Sequence, residues 1–136
     1  MSRGILFISP HSGDAERLAE ILSIIPVQLD HVRNLEQARE RLNSVRYVAI
    51  LTEADLPDGV WTDVLHLARE ISPGVEVIVT DALADASLWT EVLGLGCYDL
   101  LAQPFHDSEV RRILSNACTA AMESSPAGEF YNGFSA

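Results

Sequence analysis

Five short β-rich runs punctuate the chain: Gly4–Ser9, Val27–Val32, Tyr47–Thr52, Val75–Thr80 and Tyr98–Ala102. The first, third and fourth are almost unbroken in apolar residues. A strand with one face in water alternates apolar and polar positions. An unbroken run instead marks a strand covered on both faces, as in a parallel sheet enclosed by helices. Between the runs the apolar period lengthens to that of a helix. Leu18, Ile21, Leu22 and Ile25 form one stripe, and Leu35, Ala38, Leu42 and Val45 a second. Asn34 precedes the second stripe with Gln37 three residues on, an N-cap arrangement. Trp61, Val64, Leu65 and Ala68 form a third stripe, ended by Ser72-Pro73-Gly74. Leu88, Val92 and Leu95 form a fourth, ended by Gly94 and Gly96, and Val110, Ile113, Leu114, Ala117 and Ala121 a fifth.

Strand and helix therefore alternate five times. Parallel neighbours require right-handed crossovers, so the pattern predicts a three-layer α/β/α sandwich around a five-stranded parallel sheet. Sites in such folds lie beyond the carboxyl ends of the strands. Here those ends are Ser9-Pro10, Thr52-Glu53, Thr80-Asp81 and Ala102-Gln103, and any chemistry is expected there. The expected organisation is one domain over residues 1–122 and a flexible tail over 123–136. In that tail Phe130, Tyr131 and Phe134 are the apolar exceptions.

Charge narrows the partners. Nine basic and 20 acidic side chains give a net charge of -11. A surface that acidic repels phosphate backbones and anionic lipid head groups, so neither nucleic acid nor a membrane is an expected partner. Cys97 and Cys118 match no metal or redox spacing and are expected to be reduced, buried thiols. The apolar run after Met1-Ser2-Arg3 is too short for a signal-peptide core or a span, which sets a cytoplasmic location as the expectation. His11, His31, His66 and His106 show no metal-ligand spacing. His11, beside the crevice, is a surface residue with the capacity to hold an anion when protonated.

Two segments carry a resemblance. Val48-Ala49-Ile50-Leu51-Thr52-Glu53-Ala54-Asp55-Leu56-Pro57-Asp58-Gly59 is similar to the third strand and following loop of response-regulator receiver (CheY-like) domains. In those an Asp precedes x-x-Leu/Met-Pro and a Gly. Gly96-Cys97-Tyr98-Asp99-Leu100-Leu101-Ala102-Gln103-Pro104-Phe105 resembles the family's Gly-Ala-x-Asp-Tyr-Leu-x-Lys-Pro-Phe. The match spans about residues 3–120. It implies flavodoxin-like strand order 2-1-3-4-5 and a place in two-component signal transduction.

The resemblance also implies site residues, and here the chain departs from the family. The phosphoacceptor-equivalent position, normally Asp, is Glu53. The two acidic positions after the first strand, which normally hold Mg²⁺, are Ser9 and Pro10. The Ser/Thr after the fourth strand is kept as Thr80. The Lys before the cis-bonded Pro is Gln103, with Pro104 retained, and the aromatic switch position is Leu100. A working receiver site has three carboxylates and a Lys, about -2, and relies on a divalent cation. Counting Glu53 alone, this site carries about -1. Mg²⁺ binding is accordingly expected to be lost or weak, and phosphoryl transfer loses its main charge neutralisation. Glu53 is also one methylene longer than Asp, and a displacement of ~1 Å can cost ~10²-fold.

These departures predict a degenerate receiver that is not an enzyme and has no cofactor. It would act as a phosphorylation-independent module that binds a signalling protein or a second copy of itself. Two alternatives stay open: a phospho-accepting receiver with a non-standard acceptor, and a small flavodoxin-like domain that binds a ligand at the same crevice. Glu53 has three readings, namely a solvated remnant, a fixed mimic of a phosphorylated acceptor, or a weak acceptor, and a hydrogen bond from Gln103 in place of the ion pair would satisfy both groups. Thr80 reads first as a strand-end residue with a satisfied hydroxyl, and Asp55 and Asp58 as turn residues. In receivers the face made by the fourth helix, fifth strand and fifth helix carries dimer or effector contacts. Leu88, Trp89 and Asp99 are its candidate residues here, and of Leu88 and Trp89 one must point outward if the other faces the core.

Overall fold

The structure, a computed structural model, describes residues 3–123 of the 136, with side chains described for 4–120. The strands of the main sheet are β1 (Arg3–Ile8), β2 (Val27–Val32), β3 (Ala49–Glu53), β4 (Glu76–Asp81) and β5 (Asp99–Ala102). All neighbours are parallel, in the order β2-β1-β3-β4-β5. The connecting helices are α1 (Ser12–Leu22), α2 (Leu35–Ser44), α3 (Trp61–Ile71), α4 (Ala86–Gly94) and α5 (Asp107–Glu123). A two-residue antiparallel ribbon, Asp55–Leu56 against Gly59–Val60, leads into α3.

The unbroken apolar runs have the expected cause. Ile5, Phe7, Ala49, Leu51, Ile78 and Leu101 point to one face of the sheet, where they pack with α1 and α5. Leu6, Ile8, Ile50, Val77, Val79 and Leu100 point to the other and pack with α2, α3 and α4. Successive strand residues alternate faces, so covering both faces makes every position apolar.

The predicted strands begin or end one or two residues from the observed ones, except the second, which coincides. Three predicted stripe members leave their helices. Ile25 follows the end of α1 and is half-buried against the α1/α5 core. Val45 caps α2 and is exposed. Leu95 caps α4 and is 46% exposed, so it does not belong to the core. In each case the chain turns away from the helix axis before the next apolar contact is reached. Ala121 and the tail residues Phe130, Tyr131 and Phe134 lie outside the described side chains.

Helix α2 is capped from two directions. Asn34 Oδ1 accepts the Gln37 amide at 2.8 Å, and Gln37 Oε1 accepts the Arg33 amide at 2.8 Å. Asp58, in the ribbon turn before α3, accepts the Leu35 and Glu36 amides at 2.8 and 3.1 Å. Asp58 is therefore a helix cap delivered from a distant loop, not a residue of its own turn alone. It satisfies amides that the first turn of a helix leaves unpaired.

Candidate functional site

The register of the sheet brings the strand ends together. Ile8 lies opposite Thr52, Glu53 opposite Thr80, and Thr80 opposite Leu101. The residues that follow β1 and β5 are thereby carried to either side of Glu53. Pro10, without an N–H, cannot extend the β1 ladder, and the chain turns there into α1. The Gln103-Pro104 peptide bond is cis, which turns the chain at the end of β5.

Three side chains close on one another at this end. The Ser9 hydroxyl donates to Glu53 Oε2 at 3.0 Å, and Gln103 Nε2 donates to the same oxygen at 3.1 Å. The Ser9 hydroxyl in turn accepts the His11 backbone amide at 3.0 Å. Ser9 has no exposure and Glu53 only 8%. His31, on the neighbouring strand β2, holds the Ser9 carbonyl through Nε2 at 2.8 Å. A carbonyl only accepts, so that nitrogen carries the proton. Thr80 is fully buried, and its hydroxyl donates to the Leu101 carbonyl at 2.8 Å. Its own carbonyl accepts the Ala54 amide at 3.0 Å. The Thr80 proton thus points along the sheet toward β5 and not at Glu53. Leu100 is buried in the core beneath α4.

The crevice holds more negative charge than Glu53 alone. Asp14, in the first turn of α1, stands close enough for its charge to act on Glu53, so the single-carboxylate count is corrected to two. Burial pushes the Glu53 carboxyl above its ordinary value. Hydrogen bonds from Gln103 and Ser9 pull it back, and the charge of Asp14 raises it further. Sequence reasoning missed Asp14 because the family's acidic pair stands directly after β1. Here the acidic residue sits one helical turn later. A cleft of about 390 Å³ opens beside the network, lined by Asp14, Arg17, Ala82, Gln103, Pro104 and Phe105. Arg17 reaches over it to Asp107 at 2.7 Å and forms no ion pair with Glu53. The whole chain contains no lysine, and all nine basic residues are arginines.

Toward Mg²⁺, the ion that receiver chemistry implies, the crevice offers the carboxylates of Glu53 and Asp14 and nothing anionic at the two positions that bond Glu53. Of the positions flanking Glu53, Ser9 donates its proton to the carboxylate and Gln103 presents its amide nitrogen. Neither offers a hard anionic oxygen. Among the described residues no group of three or more His, Cys, Asp or Glu side chains converges to hold a metal.

The side chains of the other sequence-selected residues lie apart from this network, His11 joining it through its backbone amide alone. Leu88 is half-buried against the α3 side of the core, and its neighbour Trp89 points outward, 50% exposed. Asp99 is half-buried at the start of β5, and its carboxylate accepts the Leu100 amide at 2.8 Å. His11, His66 and His106 are exposed. Cys97 and Cys118 are buried and unbridged, and burial pushes the Cys97 thiol up to about 11.

Comparison with known proteins identifies this architecture. No family model matches the chain. The signal receiver domain of a putative LuxO repressor protein from Vibrio parahaemolyticus superposes with a TM-score of 0.84. That match has 18% identity and covers 90% of this chain and 94% of that one. The chain has the CheY-like fold of receiver domains. The signal receiver domain of an HD domain-containing protein from Pseudomonas fluorescens Pf-5 matches at TM-score 0.82 and 23% identity, over 91% of this chain and all of that one. The beryllofluoride-activated NtrC4 receiver domain, a dimer in solution, matches at 0.76 and 23%, over 90% and 98%. In sequence, the chain is 27% identical over 118 residues to the response regulator protein PilR of Pseudomonas aeruginosa, 86% of this chain. It spans about a quarter of that relative's length (26%). Among the described residues no helix is long and apolar enough to cross a membrane.

Proposed function

We propose that this receiver-type domain works as a phosphorylation-independent binding module in two-component signalling, in the cytoplasm, and catalyses no reaction. The observation that carries the reading is the closed network Ser9–Glu53–Gln103. Glu53 Oε2 already accepts two hydrogen bonds, and the cation-binding and lysine positions of a receiver are filled by neutral side chains. Attack through that oxygen on a phosphoryl group would require breaking both bonds. It would also bring several negative oxygens beside Asp14, while Arg17, the arginine lining the cleft, is paired with Asp107. The Thr80 hydroxyl, committed to the Leu101 carbonyl, is not poised to follow a change at Glu53. What the domain presents to partners is then constant, set by its surface and not by a phosphate. A signalling protein or a second copy are both candidate partners, since a receiver domain of this fold forms a dimer in NtrC4.

The test is incubation with Mg²⁺ and acetyl phosphate, followed by intact-mass measurement, with a beryllofluoride titration read by NMR. The expected result is no mass gain and no saturable shift at Glu53 or Thr80. A gain of one phosphate that disappears in Glu53→Gln would establish the rival reading, a receiver with an unusual acceptor.

A further inference from the structure

Glu53 is 8% exposed, and both hydrogen bonds that it accepts, from Ser9 and Gln103, fall on Oε2. Among the described residues no hydrogen-bond donor reaches its Oε1. Buried carboxylate oxygens ordinarily have partners, and one that meets no donor points to a ligand. The charge that acts on Glu53 is that of Asp14, itself an acceptor when ionised. Asp14 and Gln103 both line the cleft of about 390 Å³, so two neighbours of Glu53 form its polar wall. Gln103 turns its amide nitrogen to Glu53 and keeps its carbonyl oxygen as an acceptor. Apart from Arg17 the rest of the lining is apolar: Ala82, Pro104 and Phe105. Arg17 pairs with Asp107 at 2.7 Å, Arg33 holds the Pro10 carbonyl at 2.8 Å, and Arg111 holds the Ile21 carbonyl at 2.9 Å. Arg112 on α5 is exposed, as are His11 and His106 on the loops that flank the crevice.

We infer that this cleft binds a primary alkylammonium group, with the ammonium against the Asp14 and Glu53 carboxylates and the Gln103 carbonyl oxygen, and the alkyl stem along Ala82, Pro104 and Phe105. The inference rests on the phosphorylation-independent reading, in which Glu53 stays a carboxylate, and names a ligand for that crevice. An ammonium is a compact charge with three donors and no acceptor. It needs no shell of six oxygens, unlike Mg²⁺. The cleft has the size of a small-molecule site, roughly 300–1,000 Å³. The chain has no lysine of its own to supply the group. It therefore comes from outside, as a free amine or as the lysine side chain of another protein.

The experiment titrates the full chain with pentylammonium chloride at constant ionic strength. Proton–nitrogen NMR reads the Gln103 side-chain amide and the backbone amides of Asp14 and Phe105. Saturable shifts are expected, half-complete at ~1–10 mM, as suits so small a ligand. Pentanol lacks the charge and tetramethylammonium lacks the N–H donors, and each should bind at least ~10-fold more weakly. Asp14→Asn and Glu53→Gln should each weaken pentylammonium by ~10-fold or more. At the mouth of the cleft two substitutions should act with opposite signs. Asp107→Asn releases Arg17 to Asp14, one turn before it on α1, and should weaken binding by a few-fold. Arg17→Gln removes a like charge from the cleft and should tighten binding by a few-fold. Glu70→Gln and Glu91→Gln, exposed on α3 and α4, should stay within ~2-fold. N-acetyl-lysine methylamide distinguishes the sources. Tighter binding than pentylammonium assigns the group to a protein's lysine, and weaker binding assigns it to a free amine.

Four outcomes overturn the inference. One is the absence of any saturable shift with pentylammonium. Another is equal binding of pentanol or tetramethylammonium, which marks an apolar or a diffuse electrostatic site. The third is unchanged pentylammonium binding by Asp14→Asn. The fourth is displacement of pentylammonium by MgCl₂ at a concentration well below that of the amine, which makes the crevice a metal site. The phosphodonor assay separates the two levels. A phosphate on Glu53, with amine shifts intact when no phosphodonor is present, refutes phosphate independence alone. Silent mass spectra without amine shifts refute this ligand alone.

Discussion

Helices α3 and α4 are neighbours on one face of the sheet, and each carries a tryptophan, yet they do different work. Helix α3 buries Trp61, Val64, Leu65, Leu67 and Ala68, and Trp61 is only 6% exposed. Helix α4 buries Val92 alone and leaves Trp89 half in solvent. The entries to the two helices differ as well. The chain enters α3 through the ribbon, with Asp63 accepting the Val60 amide at 2.9 Å and Asp58 tying that ribbon to α2. Helix α4 follows exposed Ala82 and Leu83 and is held by an Asp85 cap to the Leu88 amide at 2.9 Å. At its other end Gly96, with φ of 98°, and the Arg69 bond to Leu95 stop the helix. One helix is embedded in the fold, and the other is attached by few buried contacts and shows its apolar side to solvent. The same residue type therefore contributes stability in one place and surface in the other.

The comparison can be broken most severely at α3. Trp61→Ala should destabilise the domain by about 3–5 kcal/mol in urea unfolding, because the cavity lies in the core. A loss under ~1 kcal/mol would mean that α3 is no better anchored than α4. Next, Gly96→Ala should cost about 1–3 kcal/mol, since a β-carbon there meets a positive φ. It would also stand too close to the Arg69 guanidinium and dislodge it from the end of α4.

Away from both helices, at the crevice, Glu53 makes pH the lever. Its folded value is raised above the ordinary 4.5, so the native state holds that proton more tightly than the unfolded chain. That stabilisation is complete below the unfolded value and is lost as pH rises through the folded one. Glu53→Gln, which keeps an acceptor for Ser9 and Gln103, should therefore raise stability at pH 7. The difference should vanish below about pH 4, in paired denaturation curves across pH. A destabilised variant at pH 7 would mean that the charge itself organises the crevice. The smallest effect belongs to Trp89→Ala, within ~0.5 kcal/mol of the parent in the same urea assay. A loss near that of Trp61→Ala would erase the distinction between the helices.

Much of the fold was legible because burial on two faces leaves a strong periodic trace. The five runs, the helical stripes and the Asn34–Gln37 cap were all readable from spacing, as was the end of the crevice where Glu53, Thr80 and Gln103 stand. Less legible were positions whose role depends on where the chain turns. Val45 and Leu95 continue a helical period in sequence but fall just past the last helical residue. Asp58 reads as a turn residue until the turn is seen to overlie the start of α2. Asp14 gave no signal as a partner of Glu53, for the two stand 39 positions apart in the chain and only the fold brings them together.

The sequence by itself determined the layering, the parallel sheet and the absence of a lysine at the crevice, since each follows from residue type and local period. Only the tertiary structure decided which oxygens and protons meet. It aimed the Thr80 hydroxyl at Leu101, added Asp14 to the charge around Glu53, and turned Trp89 and not Leu88 toward solvent. Hydrogen bonds act over about 3 Å and depend on direction. They are therefore set by the register and the packing of distant segments, which periodicity along one chain does not encode.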